Sequence, residues 1–184
     1  FDSGFIMAEL VKENICPRDI VTKDSLRNAI IMDLALGGST NSILHLLAIA
    51  QSADIDLSLD DFEELSYKIP QIIKLDPSST LTMTDFDNAG GIAGAIKTIY
   101  GQTPEFKNTK NIAGQTIEEI AQSAWVDNEV IKPLNNPITS NPGLAILHGN
   151  LAPDGAVVKI SGVDKDVFEF TGTAKVFNHE EDAM

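Results

Sequence analysis

The chain is organised around Ala35-Leu36-Gly37-Gly38-Ser39-Thr40-Asn41, which is followed by the apolar run Ser42-Ile43-Leu44-His45-Leu46-Leu47-Ala48-Ile49-Ala50. Apolar residues at helical spacing lie on both sides of the two glycines. Adjacent glycines let the backbone take positive φ values and approach other groups closely. Ser39, Thr40 and Asn41 are all favourable residues for the start of a helix. The stretch therefore predicts a helix, a glycine turn and a second helix.

The start of the second helix has two interpretations. A helix N-terminus presents unpaired N–H groups and a partial positive charge, which together can bind an anion. The alternative is an ordinary helix–turn–helix corner, which the spacing alone favours because no strand or phosphate-binding motif surrounds the glycines. His45 shares a helix face with Asn41. It either extends a polar site or is a core histidine, and the core interpretation is preferred.

The composition is that of a globular protein with an acidic surface. The 184 residues, 43% of them hydrophobic, are enough to bury a sizeable core. The net charge of −14 disfavours nucleic acid and anionic lipid as partners. No apolar run reaches the ~20 residues that a membrane-spanning helix needs. The start of the chain shows no signal-peptide pattern. We therefore expect a soluble protein with no nucleic-acid or membrane partner.

Cysteine and histidine are too sparse for a local metal motif. The single cysteine, Cys16, excludes an internal disulfide. The three histidines, His45, His148 and His179, are far apart in sequence, which argues against a zinc site. Cys16 is interpreted as a loop residue. A thiol enzyme that uses Cys16 beside Arg18 is the alternative.

Polar residues at characteristic spacings mark the starts of further helices. Thr22 is a predicted N-cap for the apolar helix before the glycine turn. Ser58 with Asp61, and Thr116 with Glu119, have the spacing of a capping box. Each pair therefore predicts that a helix begins at its first member.

The helices on either side of the glycine turn, residues 26–36 and 41–53, are apolar nearly all round, which predicts that both are buried. Thr84 or Asp85 is the predicted cap of a later helix that contains Gly90-Gly91. Glycines are costly inside a helix. These two therefore predict a helix start or close packing against another backbone.

The second part of the chain changes character. Residues 127–143 contain three prolines and several asparagines, which predicts a linker between residues 1–126 and residues 144–184. After it, a helix start is predicted at His179. Strands are predicted at residues 144–149, 156–160, 167–170 and 175–177, and turns at residues 76–79 and 161–162. The predicted fold class is α/β, mainly helical at first and then the opening strands of a second domain.

Several segments resemble the dihydroxy-acid dehydratase and sugar-acid (phosphogluconate) dehydratase family. In chain order they are residues 17–22, 28–30, 35–41 with 44–46, 89–91, 144–159 and 170–176. The segment 144–159 is the most specific match. Asp61-Phe62, Lys68-Ile69-Pro70 and Leu75-Asp76-Pro77-Ser78 favour the dihydroxy-acid branch.

The resemblance implies the end of an α/β N-terminal domain and the beginning of a C-terminal β-barrel domain. It implies a hydro-lyase of branched-chain amino acid biosynthesis (isoleucine and valine), which converts 2,3-dihydroxy acids to 2-oxo acids through an enol. In such enzymes an iron–sulfur cluster acts on the departing 3-hydroxyl, magnesium holds the carboxylate and 2-hydroxyl, and a serine alkoxide takes the C2 proton. Hydroxide is a poor leaving group, and a cation stabilises its developing charge. The resemblance also implies a cytoplasmic homodimer.

Gly38, Ser39, Thr40 and Asn41 are the predicted substrate-binding residues. The resemblance places the cluster cysteines, the magnesium ligands and the serine base outside this stretch, and Cys16 lies in none of the cysteine motifs. No catalytic or metal-binding residue is therefore predicted here. The chain alone is expected to be inactive, and its ends suggest a fragment of a longer protein.

Two alternatives to a dihydroxy-acid dehydratase remain open at this point. One is a sugar-acid dehydratase of the same family. The other is a free-standing, non-enzymatic module that holds a small anion at the glycine turn, supported only by the capping chemistry.

Overall fold

The computed structural model describes residues 2–76, 79–140, 143–160 and 163–184. Eight helices precede one hairpin of two antiparallel strands in this part of the chain. The helices are α1 (Asp2–Glu13), α2 (Pro17–Ile20), α3 (Lys23–Ala35), α4 (Thr40–Ser52), α5 (Leu59–Ser66), α6 (Met83–Asn88), α7 (Gly91–Ile99) and α8 (Ile117–Ser123). The strands are β1 (Leu144–Leu147) and β2 (Ala156–Lys159). The order of helices before strands follows the prediction.

Three helices begin at the residues that the sequence predicts. The Thr22 hydroxyl accepts a hydrogen bond from the third residue of α3. At α5, the Ser58 amide donates to the Asp61 carboxylate at 3.1 Å. At α8, the Thr116 amide donates to Glu119 at 2.8 Å, and the Glu119 amide donates back to the Thr116 hydroxyl at 3.2 Å. These bonds pair amides that a helix would otherwise leave unsatisfied.

The predicted cap at Thr84 or Asp85 is wrong by two or three residues. The N-cap of α6 is Thr82, whose amide donates to the Asp85 carboxylate at 2.8 Å. The Asp85 amide donates in return to the Thr82 hydroxyl at 3.3 Å. This reciprocal pair satisfies two amides at once, whereas a cap two residues later would lose the partner carboxylate.

Gly90 shows why the glycines of this region are needed. It takes φ +114° as the N-cap of α7, so that the chain starts a new helix there. A Cβ on Gly90 would lie 2.4 Å from the Trp125 carbonyl oxygen. The single helix predicted through Gly90-Gly91 is wrong, because α6 ends at Asn88 and α7 begins at Gly91. The two alternatives stated for these glycines, a helix start and close backbone packing, are both confirmed.

One hydrophobic cluster joins the helices to the hairpin. Ile30 and Ile31 of α3 are fully buried in it, as are Ile72 and Ile73 of the extended segment after α5. Leu144 and Ile146 of β1 belong to the same cluster. The other members that are fully inaccessible are Ala35, Leu65, Ala95, Ile99 and Ile131. The hairpin therefore packs as part of the helical core.

The prediction that both helices beside the glycine turn are buried holds for only one of them. Six residues of α3 are buried, but in α4 only Ile43 and Ala50 are. Leu44 and Ile49 are 68% and 45% exposed. Helix α4 packs on α3 and β2 along one face. Another face of α4 borders a groove beside α2 that includes Ile49, so part of its apolar surface stays exposed.

The predicted linker is bonded to the core over its described residues. The Asp127 amide donates to the Ala89 carbonyl at 2.9 Å, and the Lys132 amide donates to Ile72 at 2.8 Å. Gln71 pairs with the chain near Ile138 through two further bonds of 2.9 and 3.0 Å. The prolines remove amide donors, so the segment forms no regular helix or strand. Its backbone is nevertheless hydrogen bonded to the core.

Two predicted strands are wrong. Residues 165–167 form a 3₁₀ turn, and residues 175–177 have no regular structure. Phe170 and Val176 are 80% and 87% exposed. A strand needs a partner for its backbone groups, and no backbone hydrogen bond joins residues 168–177 to another described segment. The helix predicted at His179 is a single 3₁₀ turn, Glu180–Asp182.

Strands β1 and β2 confirm the first two strand predictions, each slightly shorter than expected. The turn predictions at residues 77–78 and 161–162, and the linker residues 141–142, lie outside the described residues. No helix in the described ranges combines the length and the apolar character needed to cross a bilayer.

We expect Gly38→Ala to destabilise the fold strongly. Gly38 has φ +69°, and a Cβ there would lie 2.8 Å from Cγ of the buried Leu144. Backbone strain costs about 1–2 kcal/mol and overpacking about 1–3 kcal/mol more. Gly101→Ala is the matched control, because Gly101 has φ +78° with nothing within 4 Å of its added Cβ. Urea unfolding of both variants separates the two effects, and equal losses would contradict the packing argument.

Candidate functional site

The turn between α3 and α4 is a Schellman motif. The Gly38 amide donates to the Asp33 carbonyl at 2.7 Å, and the Gly37 amide donates to the Leu34 carbonyl at 3.1 Å. Gly37 has φ +106°, the conformation that this C-terminal cap requires. A Cβ on Gly37 would lie 2.6 Å from Nε2 of Gln71. The two glycines are therefore fixed by the helix cap and by their neighbours.

The anion position at the start of α4 is filled by the chain itself. Ser39 is the N-cap, but its side chain makes no capping hydrogen bond. The Ser39 amide instead donates to the Asp33 carboxylate at 3.3 Å. The corner predicted from the sequence is present, and the amide of its N-cap residue is bonded to an aspartate six residues upstream.

Burial raises the pKa of Asp33 above its ordinary value. Hydrogen bonds from Ser42 and Ser39, and the positive charge of Lys159 on β2, oppose this effect without cancelling it. The sequence reasoning missed Asp33. A signal was present, because an acidic residue near the C-terminus of an apolar helix opposes the helix dipole.

The four predicted substrate-binding residues form one continuous segment that passes from half-buried to exposed. Gly38 and Ser39 are half-buried, and Thr40 and Asn41 are exposed. The Thr40 hydroxyl and the Asn41 amide group make no side-chain hydrogen bond to any described residue. The segment therefore offers neutral donors and acceptors directly after Ser39, whose amide is bonded to Asp33.

His45 lies in a groove, and its interpretation as a core histidine is wrong. Its side chain is exposed because α4 turns this face away from the core. A groove of about 570 Å³ runs between α2 and α4 and is lined by His45 with Val21, Ala48 and Ile49. The groove is mainly apolar, and His45 lies on the same face of α4 as Asn41.

Cys16 lines the same groove and is exposed. It is the N-cap of α2, and its amide donates to the Asp19 carboxylate at 2.7 Å. The guanidinium of Arg18 is engaged by Asp54 and by the Ser52 carbonyl. Cys16 thus lies at the end of the loop between α1 and α2, as predicted, and is the residue from which α2 starts.

The structure brings together three side chains that no sequence pattern had grouped. Asp60 and Glu63 of α5 face His148, and their ligand atoms all lie within 4.8 Å of one another. Nε2 of His148 lies 3.9 Å from the Glu63 carboxylate. Asp60 and His148 are exposed. We therefore interpret the three side chains as a surface contact between the hairpin and α5.

The described residues do not fit an iron–sulfur cluster. Such clusters are held by several cysteine thiolates, and this sequence contains one cysteine, Cys16. The trio at Asp60 includes a histidine, whereas magnesium prefers an all-oxygen octahedron.

The chain matches two family models in succession. The model for the "Dihydroxy-acid/6-phosphogluconate dehydratase N-terminal" domain covers residues 2–120. The model for the C-terminal domain of the same proteins covers residues 129–184. The chain therefore belongs to the dihydroxy-acid/6-phosphogluconate dehydratase family.

Curated relatives are similar to this chain over nearly its whole length. The dihydroxy-acid dehydratase of Clostridium novyi is 48% identical over 97% of this chain, and that of Geotalea daltonii is 46% identical over 100%. The dihydroxy-acid dehydratase of Ignicoccus hospitalis is 44% identical over 99%. The chain spans about a third of the length of these relatives, 32–33%.

We expect Asp33→Asn to raise the free energy of unfolding at pH 7. The folded-state pKa of Asp33 is raised, so the stability that its protonated form contributes is complete below about pH 3.8 and is lost as pH rises through the folded pKa. A neutral side chain removes this loss. The gain should therefore shrink as the pH of the urea titration is lowered toward 4.

Asp85→Asn is the control of opposite sign. Hydrogen bonds from the Thr82 backbone and side chain lower the pKa of Asp85. Its contribution is present above the unfolded pKa and is lost as pH falls through the folded value. Asp85→Asn should therefore destabilise the chain at pH 7. A loss of stability in Asp33→Asn at neutral pH would contradict the assignment of Asp33.

Proposed function

We propose that this chain is the central part of a hydro-lyase that dehydrates 2,3-dihydroxy acids to 2-oxo acids. The observation that carries the proposal is the unbroken similarity to dihydroxy-acid dehydratases, 44–48% identity over 97–100% of the chain in the three relatives named above. Both halves of the chain, helical and hairpin-containing, match their family models in order.

Gly38, Ser39, Thr40 and Asn41 are the proposed contacts to substrate. Two features support this role. The Schellman turn and Asp33 hold the segment in one conformation, which limits the entropy lost when a ligand binds. The Thr40 hydroxyl and the Asn41 amide are exposed and unbonded, and such groups can pair with the hydroxyl groups of a dihydroxy acid. His45 extends the same face of α4.

The complete protein is proposed to be a cytoplasmic homodimer with a C-terminal β-barrel, an iron–sulfur cluster and magnesium. When bound, these cations would stabilise the charge on the departing hydroxide. Residues outside this chain would supply their ligands and the serine base. The contribution of this chain is then to bind and orient substrate at the glycine turn and to support the fold around it.

The alternative of a free-standing module for small anions is less well supported by the geometry. The Asp33 carboxylate already accepts the Ser39 amide at the start of α4. A second anion at this place would meet a like charge at short range, which is unfavourable.

A substrate comparison tests the proposed reaction. The polypeptide that contains this chain is purified without oxygen and given either 2,3-dihydroxy-3-methylbutanoate or 6-phosphogluconate. Formation of 2-oxo acid from the branched compound at a much higher kcat/KM supports the dihydroxy-acid branch. A preference for 6-phosphogluconate would transfer the protein to the sugar-acid branch, and no turnover of either would remove the proposal.

We expect Asn41→Ala in that polypeptide to lower kcat/KM about tenfold, which corresponds to the loss of one hydrogen bond of ~1.4 kcal/mol. Stability should change little because Asn41 is exposed. Gln51→Ala, an exposed amide near the other end of α4, is the control and should leave the kinetics unchanged. Unaltered kinetics in Asn41→Ala, measured beside an unchanged Tm, would remove Asn41 from the site.

A further inference from the structure

The surface contact between the hairpin and α5 brings together metal-ligating atoms of two kinds. His148 is the first residue after β1, and Asp60 and Glu63 lie three positions apart on α5, which places them on one face of the helix. One imidazole nitrogen and two carboxylate oxygens of this trio lie within 4.8 Å of one another. The trio therefore combines nitrogen and oxygen donors from two elements that are far apart in sequence.

Gly155 fixes the distance between the hairpin and the helix at this point. It directly precedes β2 and has φ +102°. A Cβ there would lie 3.4 Å from Cε1 of His148 and 2.7 Å from Cδ1 of Leu59, the first residue of α5. The imidazole ring and the start of α5 thus pack against the same glycine. Packing, and not only charge, therefore holds the ring beside the two carboxylates.

The carboxylates of α5 fall into two groups by their partners. Asp61 and Glu64 are both paired with Arg27 of α3. Asp60 and Glu63 have no salt bridge to lysine or arginine in the part of the chain that the structure describes. The Glu63 carboxylate lies 3.9 Å from Nε2 of the histidine, which is too long for a hydrogen bond. The facing lone pairs of the trio are therefore available to a cation.

The donor set favours zinc and similar divalent transition ions. Zinc binds imidazole nitrogen and carboxylate oxygen at about 2.0–2.2 Å, so that two ligand atoms of a tetrahedral site lie ~3.4 Å apart. The ligand atoms of the trio would have to close by ~1.4 Å at most, which side chains on the surface can do by rotation. Magnesium and calcium prefer oxygen ligands alone. Three protein ligands would leave the fourth zinc position to water.

We propose that Asp60, Glu63 and His148 bind one divalent transition ion of the zinc class, which ties the hairpin to α5. The net charge of −14 attracts cations in general, and the imidazole selects zinc over magnesium. Helix α5 lies in the region that matches the N-terminal family model, and the hairpin lies in the region that matches the C-terminal one. The ion therefore links the two regions. This role does not depend on the proposed dehydration.

The zinc affinity of the 184-residue chain tests the site. We would titrate zinc against a chromophoric chelator at one pH and in excess Mg²⁺, so that the acidic surface carries the same non-specific cation in every sample. His148→Gln removes the nitrogen ligand and leaves every carboxylate in place. Zinc affinity should fall at least about tenfold, because losing a group that merely supports a metal ligand already costs about 10–100-fold.

The matched control is His179→Gln. His179 is exposed and is followed by three acidic residues, Glu180–Asp182, but it belongs to no group of converging ligand atoms among the described residues. This variant should bind zinc as the wild type does. Zinc should also raise the Tm of the wild type and of His179→Gln, but not that of His148→Gln, because the ion binds the folded contact.

A measurement on the wild type alone locates the ion, so it decides the question even where His148→Gln does not fold. Substoichiometric Co²⁺, a paramagnetic substitute for zinc, should broaden the amide signals of residues 59–64, 147–149 and 155 before those of residues 180–182. Equal zinc affinities of the wild type and His148→Gln, or broadening spread evenly over the acidic surface, would overturn the proposal and leave the trio as a surface contact alone.

Discussion

The close approach of three backbone segments at the glycine turn is the constraint on which the structure depends. The Ile72 amide donates to the last residue of α3, Ala35, at 2.9 Å. A Cβ on Gly143, just before β1, would lie 3.1 Å from the Gly37 carbonyl oxygen. Such distances leave no room for side chains between the segments. The end of α3, the extended chain after α5 and the start of β1 therefore converge where the sequence has glycine.

Burial of the Asp33 carboxylate at this corner lowers the stability of the folded chain at neutral pH. A half-buried carboxylate with a raised pKa stabilises the ionised protein less than a neutral side chain of similar shape would. Its hydrogen bond to Ser39 nevertheless gives the start of α4 a defined geometry.

Local signals in the sequence predicted much of this fold. Capping pairs such as Thr116 and Glu119 act over three residues, so their spacing alone specifies the helix start. The same holds for Gly90, because few other residues take its backbone conformation. Long-range packing could not be read in the same way. The apolar pattern of α4 predicts burial, yet the sequence does not show how many sides of a helix have neighbours.

The site shows the same division between local and long-range information. The segment 38–41 was predicted as a candidate site because glycines and capping residues are adjacent in sequence. Asp33 was missed because its role depends on a Schellman turn that folds the chain back by six residues. The contact of His148 with Glu63 joins residues far apart in sequence. The strands predicted near Phe170 failed because composition indicates a tendency to extend but does not supply a partner strand.

The burial of Leu144 and Ile146 has a consequence for how this protein could have changed during its history. Both residues lie in the part that matches the C-terminal family model, but they fill space between helices of the part that matches the N-terminal model. The boundary between the regions that match the two family models is therefore not a boundary in the hydrophobic core. Recombination that exchanged one region alone would bring together aliphatic surfaces of unmatched shape. The two regions would have had to diverge together.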